Sequence, residues 1–78
     1  MNYSLNLDCK TSSPGKVMKV MQQDAGKKDR SEVRILAGKD KITFKITSKD
    51  SIALKASINS VIKGLTIYEK TLEMVKNE

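Results

Sequence analysis

The sequence predicts an α+β fold in the order β-α-β-β-α. It comprises a three-stranded antiparallel sheet, strand order 1-3-2, with two helices on one face. Three observations carry this. Residues Tyr3–Cys9 and Ile42–Thr47 alternate strictly between apolar and polar, the period of a half-buried strand. Glu32–Ala37 alternates nearly as well. From Ser51 to Lys76, apolar residues recur at steps of four and three, the period of a long helix. With 78 residues, the chain is read as one domain over 1–78.

In the first strand Tyr3, Leu5, Leu7 and Cys9 point inward, which makes Cys9 a packed thiol rather than a reactive one. Thr11-Ser12-Ser13-Pro14 starts the first helix, with Ser13 as cap and Pro14 in the first turn. Val17, Val20 and Met21 follow at helical spacing, and the helix is expected to end near Gln23 or Asp24, before Gly26. Ala25 to Ser31 reads as a polar, basic loop. In the second strand Val33, Ile35 and Ala37 face inward. Gly38-Lys39-Asp40 turns the chain into the third, where Ile42, Phe44 and Ile46 do the same. Ser48 or Asp50 caps the final helix. The third strand must be central, because both helices then cover one face. Ser4, Asn6, Asp8, Arg34, Leu36, Thr43, Lys45 and Thr47 form the other, largely wet face.

Composition narrows the function classes. One cysteine excludes an internal disulfide, and with no histidine a zinc site lacks its usual ligands, so no metal and no cofactor is expected. Serine-histidine and cysteine-histidine catalysis are excluded within one chain. Glu69 and Glu73, four residues apart on the long helix, read as a solvated face, and no catalytic residue is assigned. The longest apolar run is three residues, too short for a membrane span. Met1–Asn6 has neither the charged nor the apolar region of a signal peptide, so a cytoplasmic protein is expected. The net charge of +6 favours an anionic partner. Lys27, Lys28, Arg30, Arg34 and Lys45 are the candidates for phosphate contacts, set against plain solubility. A KH-type RNA module is rejected, because Gly26-Lys27-Lys28-Asp29 lacks the second glycine of its loop and leads into a strand.

The final helix carries more apolar surface than a short sheet covers. Leu54, Ile58, Val61, Leu65, Tyr68, Leu72 and Val75 form one stripe; Ile52, Ala56, Ile62, Ile67 and Met74 form a second, partial one. At 1.5 Å per residue the helix spans about 39 Å, against about 17 Å for a five-residue strand. Its end therefore overhangs the sheet and calls for another chain, unless it curls over the first helix.

The run Arg30-Ser31-Glu32-Val33, the turn Gly38-Lys39-Asp40 and the helix start Asp50-Ser51-Ile52-Ala53-Leu54-Lys55 with Asn59-Ser60 resemble the Pcc family, small scaffold subunits of the KEOPS complex. Arg30, Ser31, Asp50, Leu54, Asn59 and Ser60 carry the family pattern. The resemblance implies a dimer, with itself or with a paralogous Pcc-like chain. It implies a partner in the Kae-type tRNA threonylcarbamoyl transferase, bound through the two helices, with tRNA as a further partner. It implies no catalysis by the subunit itself. Carried over by position, Val17, Met21, Val61, Leu65, Tyr68 and Leu72 are the expected partner contacts, with Leu65 near the overhang. Asn59 is expected to hydrogen-bond, and Arg30 to reach tRNA or brace its loop. Val61-Ile62-Lys63-Gly64 departs from the aromatic and Arg that the family often has there, and Lys55 stands where many members have Arg. Both the main scaffold subunit and a heterodimerising paralogue stay open.

Overall fold

The computed structural model describes residues 1–22, 25–28 and 30–76, with the side chains of Lys28 and of residues 73–76 outside the described set. Its elements are β1 (Tyr3–Lys10), α1 (Pro14–Met21), β2 (Gly26–Lys28), β3 (Ser31–Ala37), β4 (Lys41–Ser48) and α2 (Ser51–Lys76). The sheet is antiparallel and four-stranded, in the order β1-β4-β3-β2. The three expected strands keep their relative order. The stretch expected as a loop instead supplies a fourth strand, with Gly26, Lys27 and Lys28 opposite Val33, Glu32 and Ser31. Gly26 enters it at φ 129°, a conformation that side chains disfavour.

Alternation sets the core. Ile42, Phe44 and Ile46 of central β4 are fully buried, and Val33 and Ile35 join them from β3. Val17 and Met21 of α1 and Val61 of α2 close the cluster from one side, so both helices share a face of the sheet. Helix α1 packs on β3 and β4, and α2 on the same two strands. Strand β1 lies at the margin of this cover, and its inward residues Leu5, Leu7 and Cys9 are only half-buried. Ala37 is exposed at the end of β3, contrary to its inward assignment.

Two caps differ in detail. Ser13 stands at the N-cap of α1, but its side chain caps nothing. Its N–H donates instead to the Thr11 hydroxyl at 3.1 Å, while its carbonyl accepts from Lys16 and Val17. The expected helix end at Gln23 or Asp24 lies outside the described residues; the α-helix itself ends at Met21. At α2 the choice between Ser48 and Asp50 falls to Asp50, whose carboxylate accepts the Ala53 N–H at 2.8 Å.

The long helix has the expected bounds. Its 26 residues span about 39 Å, against about 27 Å for the eight-residue β4. It runs from Ser57, bonded to Ser31 at one end of the sheet, to Leu65, Tyr68 and Leu72, which line a hollow with Ile42 and Cys9 at the other. The overhang therefore begins beyond Leu72.

Candidate functional site

The Arg-Ser and Asp positions of the motif meet where α2 leaves the sheet. The Ser48 hydroxyl donates toward the Arg30 carbonyl at 3.1 Å and the Asp50 carbonyl at 2.9 Å. The Lys49 N–H donates to the same Arg30 carbonyl at 2.9 Å. The Arg30 guanidinium lies 3.3 Å from the Asp50 carboxylate, whose other oxygen caps α2. Two helical turns on, the buried Ser57 hydroxyl donates to Ser31 Oγ at 2.9 Å. The turn before β3 is thus latched to the start of the helix. Through its carbonyl and its guanidinium Arg30 braces the loop. Its ion pair is exposed and worth at most about 1 kcal/mol. The cap is the larger contribution. Asp50→Ala is expected to cost about 0.5–2 kcal/mol, read as a fall in thermal midpoint of about 4–8 °C per kcal/mol. An unchanged midpoint would remove the latch from this account.

The helix-free sheet face collects the basic residues into rows. Ser4, Thr47, Glu32 and Lys27 form a continuous row across all four strands. Asn6, Lys45 and Arg34 form the next. Alternation alone put Arg34 and Lys45 on one face; the register sets them directly opposite each other. Arg34 is drawn 3.5 Å from Glu32. Lys28 pairs by backbone with Ser31, and its side chain lies outside the described residues. Arg30 and Lys49 stand at the Ser48 end of this face and line a cleft with Lys27. Lys49, not among the candidates named from the sequence, joins the cluster because β4 ends at the preceding Ser48.

The expected partner contacts divide. Val17, Met21 and Val61 are buried in the chain's own core and are already covered in this conformation. Leu65 and Tyr68 are half-buried against that core rather than on the overhang. Leu72 is exposed. Val75 and Met74 lie outside the described side chains. The accessible apolar residues are instead Val20 on α1 and Ile52, Ile62 and Ile67 on α2. The second stripe was visible in the spacing, but nothing in the spacing says which stripe the sheet takes. Of the remaining motif positions, Leu54 packs on the core, Asn59 is exposed and Ser60 is half-buried.

Cys9 is half-buried. Desolvation, and then the charges of Asp8 and Glu69, push its thiol above the ordinary 9.0. The neutral thiol is thus favoured on folding. Its contribution to stability is full below the unfolded thiol's pKa and is lost as pH rises through the raised one. Alkylation of Cys9 at pH 8 is expected to be slower than that of a free cysteine, and Glu69→Gln should speed it. A rate equal to that of free cysteine would mean that the thiol is not packed.

No group of three or more histidine, cysteine or acidic side chains suited to a metal occurs among the described residues. Nor, among the described residues, is any helix long and apolar enough to cross a membrane. A family model described as "Transcription factor Pcc1" matches residues 2–73. Neither the curated proteins nor the solved structures compared with the chain give a match.

Proposed function

This chain belongs to the Pcc1 family, a family of KEOPS subunits, and from that premise we propose that it is a non-catalytic, dimeric scaffold subunit of the tRNA threonylcarbamoyl-adenosine machinery. Residues 1–78 act as a single Pcc-like unit. The subunit holds the Kae-type transferase through its helical face and pairs with a second Pcc-like chain, identical or paralogous, so that a dimer bridges two copies of the enzyme.

The observation that carries this reading is that α2 is apolar on both flanks. Glu69 lies with Cys9 and Lys10 on the β1 side of the helix. On a 3.6-residue period Ile62 shares that side, and it is 45% exposed. Ile67, 56% exposed, falls on the opposite flank, toward β3 and α1, where Val20 is also exposed. A surface helix with one sheet to cover needs one apolar face. Two exposed flanks fit two further chains. The second Pcc-like chain is assigned to the β1 side, where Leu5 and Leu7 are half-covered and the strand edge is open to pairing. The transferase is assigned to the Val20 and Ile67 side.

Co-purification with the transferase at low and high salt tests this. An apolar interface predicts a stoichiometric complex that survives high salt. No complex at either salt concentration would refute the reading.

A further inference from the structure

We propose that the cleft at the Ser48 end of the helix-free sheet face is a binding site for a phosphate group. The cleft has a volume of about 440 Å³. Three cations line it, Lys27, Arg30 and Lys49, with Glu32 as the one carboxylate among the described lining residues. Ser4 and Thr47 bring hydroxyls to the same row of the sheet as Lys27.

Charge in and around the cleft is unbalanced. Glu32 is drawn toward Arg34 on the adjoining row, 3.5 Å away, which takes the one lining carboxylate toward another cation. Arg30 meets Asp50 through one nitrogen, and its side chain stays 61% exposed. A guanidinium has five N–H donors in a fixed fork, so most remain to bind an oxyanion. Lys27 and Lys49 supply compact ammonium charges from the other strands' ends. Arg34 stands directly opposite Lys45 on the next row. Like charges directly opposite on a sheet face are destabilising. The pair lies outside the cleft lining and adds to the positive potential beside it. A phosphate, with up to two charges and several acceptor oxygens, matches these donors better than a single carboxylate does.

The site recognises the phosphate and reads nothing beyond it, so two sources share the chemistry: a free phosphate or mononucleotide, and the phosphodiester backbone of an RNA. The inference is independent of the scaffold reading, because the isolated chain carries all of the groups.

The test uses the whole chain. Amide chemical shifts are followed during titration with inorganic phosphate at constant ionic strength, with chloride as the control, and then with a short RNA duplex. The double variant Lys27→Gln, Lys49→Gln is compared with the unsubstituted chain, because it leaves the Arg30–Asp50 latch in place. Shifts at Lys27, Arg30, Thr47 and Lys49 are expected with phosphate but not chloride, with affinity about tenfold lower in the double variant. A phosphodiester source gives tighter binding to the duplex, with a salt slope that shrinks by about two in the double variant. A free-phosphate source gives no gain from the duplex. Absence of shifts with both probes, or shifts that persist unchanged in the double variant, would overturn the proposal.

Discussion

Phe44→Ala is expected to leave the chain largely unfolded at 37 °C. Phe44 is fully buried at the centre of β4, opposite Leu7 on one side and Ile35 on the other. Removing a buried phenyl ring costs about 3–5 kcal/mol, part of it for the void left behind. A chain of 78 residues has about 4–12 kcal/mol of stability in total. The loss is therefore a large fraction of what holds the fold. Leu36→Ala is the control: Leu36 is half exposed on the helix-free face and should cost well under 1 kcal/mol. Equal destabilisation by the two changes, in chemical denaturation, would mean that the core is not organised around β4.

Ile62→Asp and Ile67→Asp are expected to separate the two associations completely. Both side chains are about half exposed, so a carboxylate at either can stay hydrated in the lone chain. Each change costs the helix only about 0.3 kcal/mol in propensity. At an interface the same carboxylate is desolvated without a partner, which costs several kcal/mol and abolishes binding at micromolar concentration. Ile62→Asp should give a folded monomer that still binds the transferase. Ile67→Asp should give a folded dimer that does not. Leu65 is a poor position for such an experiment, because it packs on the chain's own core and an aspartate there would damage fold and binding together. Variants with both associations intact would empty the two-flank argument.

Much of the fold is legible in the sequence because strands and helices leave different periods. Tyr3–Cys9 and Ile42–Thr47 could be placed by alternation alone, and the bounds of α2 follow from its spacing and from Asp50 ahead of it. Strand β2 was not legible. Gly26-Lys27-Lys28 is three residues long with no apolar alternation, and it joins the sheet through the backbone of β3 rather than through a buried face. Ser13 stands at the N-cap of α1 as its chemistry suggests, but only the geometry shows that its hydroxyl makes no capping bond.

The candidate site was legible by residue type and not by arrangement. Alternation puts Arg34 and Lys45 on one face, but the register that opposes them depends on the Gly38–Asp40 turn. The Arg30-Ser31 motif was seen, yet its latch onto Ser48, Asp50 and Ser57 joins segments up to 26 positions apart. Val17, Met21 and Val61, expected at a partner surface, are covered by the chain's own core. A helical stripe shows that a face is buried, but not whether its own sheet or another chain buries it.

The central claim is that α2 is a helix shared with other chains. Size-exclusion chromatography with light scattering tests it most directly, on the purified chain alone and then with the transferase. The account predicts a particle of twice the 8.7 kDa chain mass, and a larger one containing both proteins after mixing. A folded 8.7 kDa monomer that stays a monomer when the transferase is added would contradict it.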